Sequence, residues 1–303
     1  MNYSDTLKII KLGRFQFILG GFLFFCCGAL FALLLNAKFN LNIFIFGYLA
    51  LFLAHLSVSY SNDYFDLKVD SLGKPTKFSG GSGVLLDNPH LRNFSKYFAL
   101  ILIFLSLCTA SIITVYFQLP LSFLALIILG NVLGWFYSAP PLKLSYRGLS
   151  EFSTVLTGFI VPGIGYTILM GKLDINFIFF VIPLMLYELY FILNVEIPDM
   201  EADKLGHKKT LVVSHGRYMG FVFIAVSALI VTLYYILLSV TNLYPGIDLN
   251  TIILFSLIPS TFGILSTFKK SDNRKYTNKL VNYNLTALSI FIILINVYFL
   301  YLL

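Results

Sequence analysis

Acidic residues in this chain concentrate in two short stretches. The first runs Asn62-Asp63-Tyr64-Phe65-Asp66-Leu67-Lys68-Val69-Asp70, the second Glu196-Ile197-Pro198-Asp199-Met200-Glu201-Ala202-Asp203. At about 100° per residue, Asn62, Asp66 and Asp70 share one helix face, and Asp199 and Asp203 share another with Glu196 flanking. Like charges at these spacings repel unless a cation lies between them. A hard divalent ion such as Mg2+, kept partly hydrated and shared with substrate phosphates, suits this oxygen-only donor set. Either stretch alone could be a solvated acidic helix end. The two together recur at a constant offset of 133 positions, Asp66 to Asp199 and Asp70 to Asp203. That offset predicts two related four-helix halves plus a ninth helix, with a site between the halves.

Cations follow each acidic stretch. Asp70 is succeeded by a loop of small residues, Gly73 to Gly83, that carries Lys74 and Lys77. Asp203 is succeeded by Gly206-His207-Lys208-Lys209. A third polar turn, Tyr137-Ser138-Ala139-Pro140-Pro141-Leu142-Lys143, has Arg147 close behind. Gly-rich backbone N–H groups and lysine ammoniums suit a diphosphate. A lone lysine near a membrane is otherwise a headgroup anchor. Lys77 and Lys143, beside an acidic stretch and a Tyr-Pro turn, point to the substrate role.

The elements that must position these residues are membrane spans. Of 303 residues, 58% are hydrophobic and 12% charged, against about a quarter charged in soluble domains. Apolar blocks of about 20 residues match a ~30 Å hydrocarbon core. Nine spans are expected at about 15–35, 41–62, 96–117, 119–137, 150–170, 175–195, 216–240, 250–268 and 282–302, making one all-α transmembrane domain over residues 1–303. Residues 1–13 lack the cleavage pattern of a secretory signal. With the N-terminus cytoplasmic, every Lys and Arg except Lys38 and Lys172 falls on the cytoplasmic side, as the positive-inside rule requires. An odd number of spans puts the C-terminus on the opposite side. The net charge of +7 is thus a topology signal, and nucleic acid is not an expected partner. Cys26, Cys27 and Cys108 lie in apolar spans without metal-type spacing,.

The motifs resemble those of UbiA-type intramembrane prenyltransferases. Asn62-Asp63-x-x-Asp66-x-x-x-Asp70 is similar to that family's first aspartate-rich motif, Asp199-x-x-x-Asp203 to its second, and Tyr137 to Lys143 to its tyrosine–lysine loop. Arg14 stands where these enzymes carry a basic residue before the first span, and Lys77-Phe78 stands where many have Arg-Pro. The resemblance implies a helix bundle around a central chamber opening to lipid. It implies two Mg2+ ions held by Asn62, Asp66, Asp70, Asp199 and Asp203, and an isoprenyl diphosphate bound by Asn62, Arg14, Lys74, Lys77, Arg147 and Lys208. Asp66, Asp70, Asp199, Asp203, Lys143 and Tyr137 would be the catalytic groups. The isoprenyl group passes to a lipophilic acceptor delivered from membrane lipid. Phe78 to Leu85 is similar to the naphthoate prenyltransferases of menaquinone synthesis, so a quinone-precursor acceptor is favoured. A glyceryl-ether phosphate acceptor is the alternative, and an ion-coupled transporter is the alternative from another class.

His55 precedes Asp66 by the same eleven positions that separate Glu188 from Asp199. Ionisable residues inside spans face a partner or a cavity. Their equivalence under the repeat predicts a hydrogen bond between them across the bundle, near the chamber floor.

Overall fold

The computed structural model describes residues 3–269 and 274–303, and these are helical apart from the turns and loops that join the helices. A short amphipathic helix α1 (Tyr3–Leu12) leads into α2 (Phe15–Leu34) and α3 (Leu41–Asp70). A one-turn α4 (Val84–Asp87) follows, then α5 (Arg92–Tyr116) and α6 (Leu121–Phe136). The second half comprises α7 (Ser150–Met170), α8 (Ile175–Glu196), a six-residue α9 (Met200–Leu205), α10 (Leu211–Thr241) and α11 (Leu249–Thr267), and α12 (Arg274–Leu302) ends the chain. Among the described residues, eight helices are long and apolar enough to cross a membrane. Helix α6 is equally apolar but has 16 residues, about 24 Å at 1.5 Å per residue.

The boundaries follow local chemistry. Helices α3 and α8, equivalent under the repeat, both begin at a capping side chain. Asn40 Oδ1 accepts from the Asn42 and Ile43 amides at 3.0 and 3.2 Å, and Asp174 accepts from the Phe177 amide at 3.2 Å. Each cap satisfies amides that have no partner within the helix. Their far ends differ. Helix α3 runs unbroken to Asp70, as the periodicity predicts. Helix α8 stops at Glu196, because Pro198 has no N–H to give, and a 3-10 turn over Ile197–Asp199 joins it to α9,. The second acidic stretch is therefore a turn and a short helix, where the spacing alone predicts one continuous helix.

The first helix of each half meets its counterpart at the centre. Helix α2 lies against α7 with glycines at the contact: a Cβ on Gly28 would fall onto the Pro162 carbonyl, and one on Gly165 onto the Phe25 carbonyl. Small residues let membrane helices pack at backbone distance, where dispersion and weak polar contacts replace the hydrophobic drive. Gly165→Ala should cost about 1–3 kcal/mol by overpacking, seen as a lower thermal-aggregation midpoint in detergent. An unchanged midpoint would mean that the seam yields.

The ring closes where α12 packs on α2, α8 and α11. At the end away from the acidic stretches, Phe31, Phe180, Tyr166 and Phe299 form an aromatic plug, with the Phe31 and Phe180 rings stacked at 3.9 Å. Buried amides tie helices together elsewhere: Asn284 donates to Asn194 Oδ1 at 2.9 Å, and Asn131 to Ser106 Oγ at 3.1 Å.

Candidate active site

Both acidic stretches open into one cavity of about 400 Å³, lined by residues of the first and second halves. Asn62, Asp66 and Asp70 from α3, Asp199 from the 3-10 turn and Asp203 from α9 all line it, with Arg14, Tyr137 and Lys208. The spacing argument therefore assembles one cluster.

Asp66 is the most heavily bonded of these carboxylates. It accepts from Ser138 Oγ at 2.8 Å, Tyr146 OH at 2.8 Å and Lys208 Nζ at 3.0 Å. The same ammonium lies 3.4 Å from Asp203, so Lys208 bridges the two motifs, with only 12% of its side chain exposed. Burial opposes its charge, but Asp66 and then Asp203 raise its pKa well above the ordinary lysine value. Its backbone is fixed as well: the Lys208 amide donates to the Asp203 carbonyl at 2.9 Å, and the nearby Leu211 amide donates to the Glu151 carboxylate on α7.

The small-residue loop after α3 folds over the cavity. The Gly80 amide donates to Asp199 Oδ2 at 2.7 Å, and the Ser82 amide and hydroxyl both donate to Asp63. Gly81 has φ 66°, a left-handed value that glycine adopts without strain. A Cβ there would fall on Asp70 Oδ2. Three side chains, two at the start of α2 and one at the start of α12, clasp the loop through its carbonyls. Arg14 Nη2 donates to Phe78 O at 3.0 Å, Gln16 Nε2 to Lys77 O at 3.2 Å and Arg274 Nη2 to Lys74 O at 2.7 Å. The Arg14 guanidinium also lies 4.5 Å from the Phe17 ring. Burial lowers its pKa, opposed by the charges of Asp63, Asp70 and Asp199.

The remaining expected cations stay outside the cavity lining. Lys77 is exposed, with its ammonium 5.1 Å from the Phe78 ring. Lys74 is exposed and contributes its carbonyl. Lys143 is exposed with its ammonium over Tyr146 at 5.0 Å, and Arg147 bonds the Pro141 carbonyl at 3.0 Å. The reason is loop geometry: the loop after α3 turns its Gly80 and Ser82 amides to the site, and the flexible lysine ammoniums point to water, where they are best hydrated. Tyr146, Ser138, Asp63 and the Ser79–Ser82 backbone belong to the site without having been singled out as site residues. The position of Ser138 beside Tyr137 was the available signal for one of them. Tyr146 lies in a 3-10 turn, where no periodicity marks it. Burial, and next the charge of Glu196, push the Tyr137 phenol well above its ordinary range, which keeps it a neutral donor.

The donor set fits a hard divalent cation. Among the described residues, Asn62 Oδ1 is buried without a hydrogen-bond partner, and the Asp70 carboxylate lines the cavity without a hydrogen-bond donor. Among the described residues no three carboxylates, histidines or cysteines close on one point. An ion here would need water or phosphate oxygens to complete its shell, as Mg2+ commonly does. The free cysteines, Cys26, Cys27 and Cys108, lie away from this cluster in α2 and α5.

Residues 22–293 match the sequence model of the UbiA prenyltransferase family. No curated protein sequence matches the chain. Several solved structures share its fold. A UbiA homologue from Archaeoglobus fulgidus superposes with a TM-score of 0.67 at 17% identity, over 97% of this chain and 98% of that one. The same homologue bound to GPP and Mg2+ gives a TM-score of 0.62 at 15% identity, covering 92% and 99%. A digeranylgeranylglyceryl phosphate synthase gives 0.65 at 18% identity, covering 98% and 99%.

Proposed function

Because the chain belongs to the UbiA prenyltransferase family, we propose that its chamber transfers an isoprenyl group from an isoprenyl diphosphate to a lipophilic aromatic acceptor, with release of pyrophosphate. The convergence of two motifs, 133 residues apart, on one cavity that turns from charged to apolar carries this reading. The GPP and Mg2+ bound by the Archaeoglobus fulgidus homologue support it. Asn62, Asp66, Asp70, Asp199 and Asp203 would hold two Mg2+ ions, whose chemistry is to neutralise the diphosphate and ease its departure. Arg14 and Lys208 supply fixed positive charge at the same end, which favours the leaving group as its charge develops. The neutral Tyr137 phenol offers a hydrogen bond there. Below them, Leu126, Ile160 and Ile164 line an apolar pocket that suits the isoprenoid tail and keeps water from the allylic cation. The N-terminus and the acidic loops face the cytoplasm in this reading, the C-terminus lies on the opposite side, and the whole chain acts as one domain.

Purified protein given Mg2+, labelled isoprenyl diphosphates and dihydroxynaphthoate should release pyrophosphate and form a prenylated naphthoate, and excess chelator should stop both. Ion flux into proteoliposomes without pyrophosphate release would sink the reading. A product formed only on a glyceryl-ether phosphate would change the acceptor alone.

The positions of the cations make a further distinction. Arg14→Met should raise the diphosphate KM about tenfold or more, since a partly buried, charge-assisted donor is lost,. Lys77→Met should change it by less than about threefold, because an exposed charge contributes little. Equal effects on the steady-state KM would restore Lys77 to the diphosphate site.

A further inference from the structure

Two ionisable side chains in the middle of the chamber take no part in the diphosphate site. His55 on α3 and Glu188 on α8 both line the cavity. Each lies eleven residues before its motif aspartate, roughly 16 Å deeper at 1.5 Å per residue. Among the described residues neither makes a hydrogen bond or an ion pair, so the bond expected between them is not formed. Each rests on a neighbouring helix at a glycine. A Cβ on Gly21 of α2 would come within 2.5 Å of His55 Nδ1, and one on Gly158 of α7 within 2.9 Å of Glu188 Cγ. The chamber continues below them, through Leu51, Ile127 and Ile164. They form a polar belt halfway down an apolar cavity, not its floor.

Ionisable groups at this depth are costly and persist where they meet a partner or a cavity ligand. Among the described residues the protein supplies no partner here. The Lys and Arg residues that line the cavity are Arg14 and Lys208, both beside the acidic motifs, so the belt offers a phosphate group no fixed cation. What it offers is a hydrogen-bond donor and acceptor on opposite halves of the bundle, above the apolar walls of Leu51, Ile127 and Ile164. We infer that His55 and Glu188 form a subsite for the hydroxyl or carbonyl edge of an aromatic acceptor, holding its reacting carbon up toward the diphosphate. The roughly 16 Å between the two levels leaves room for a ring system beside the first isoprene units, with the tail running on past the belt toward Ile164. Pockets of this kind fix orientation with a few polar groups on apolar walls, and they reject ligands that leave those groups unpaired. The inference rests on the prenyl-transfer reading, from which it selects a hydroxylated aromatic acceptor over a glyceryl-ether phosphate.

The test reads binding, with no turnover required. Equilibrium dialysis would compare dihydroxynaphthoate with its O-methylated analogue on the wild type and on His55→Leu, Glu188→Leu, His55→Gln and Glu188→Gln, with Mg2+-dependent GPP binding measured in parallel. The Leu variants should weaken dihydroxynaphthoate binding about tenfold to a hundredfold through the lost hydrogen bond. The Gln variants should stay within about threefold and GPP binding should not change. Leu variants that bind GPP normally and the naphthoate as the wild type does would overturn the subsite. So would a wild type that binds the O-methylated analogue equally well. A Leu variant that also loses GPP binding has not folded, and the Gln variants with the wild-type comparison then decide. No Mg2+-dependent GPP binding by the wild type would overturn the prenyl-transfer reading itself, and the subsite with it.

Discussion

Asp66→Ala will abolish prenyl transfer, lowering kcat by at least about a hundredfold to a thousandfold, while the helices stay assembled. Asp66 receives donors from three places: Ser138 at the end of α6, Tyr146 in the turn before α7, and Lys208 in the loop before α10. Its removal takes away a proposed ion ligand and releases two loops at once. The fold should survive, because Asp66 lies near the end of α3 and not in the aromatic plug. Asp199→Ala should act alike, since Asp199 holds the opposite side of the cavity and the Gly80 amide. Pyrophosphate release is the measurement, with the thermal-aggregation midpoint as a control for folding. Near-normal turnover in both variants would remove the two motifs from the chemistry.

Lys208→Met should have the next largest effect, and it should separate two quantities that Asp66→Ala changes together. Turnover should fall about a hundredfold, as expected when one preorganised charge is lost from a leaving-group site. Metal affinity in the absence of substrate should rise. The Lys208 ammonium occupies the position between Asp66 and Asp203, at 3.0 and 3.4 Å, where a divalent ion would also be attracted. Without it, the two carboxylates repel and a cation relieves them. Mn2+ titration followed by paramagnetic resonance, without diphosphate, would read the change. Weaker Mn2+ binding in Lys208→Met would show that the ammonium does not compete with the ion.

Much of this architecture is legible in the sequence because a bilayer constrains it so strongly. Apolar blocks of helix length mark α2, α3 and the other long helices, though α3 runs on to Asp70 and α12 begins at Arg274, each eight residues outside the expected ends at 62 and 282. The carboxylate cluster is legible because a helix converts spacing directly into direction, so that Asn62, Asp66 and Asp70 point to one side whatever surrounds them. Loops give no such conversion. Lys77 and Lys208 each follow an aspartate motif in a glycine-containing loop, and sequence treats them alike. Only the tertiary path turns Lys208 inward and Lys77 outward. Tyr146 was hidden for the same reason, since a 3-10 turn three residues after Lys143 carries no periodic signal. Pro198 shows a smaller lapse: the i, i+4 spacing of Asp199 and Asp203 reads as helix, and the residue that interrupts it lies one position upstream. His55 and Glu188 were recognised as equivalent, but the width of the cavity between the halves is not encoded in any local pattern.

The glycine seam between α2 and α7 restricts how such a protein can work. At Gly28 and Gly165 each helix is flush with the other's carbonyls, and sliding by one residue would drive Cys27, Ala29, Ile164 or Tyr166 into that backbone. A carrier that alternates its access needs its two repeats to rock about their junction, and here the junction is welded. So close a seam argues for chamber walls that keep their shape, as an enzyme's mould would. Walls that keep their shape would set the length of isoprenoid that fits, and with it the shape of the product.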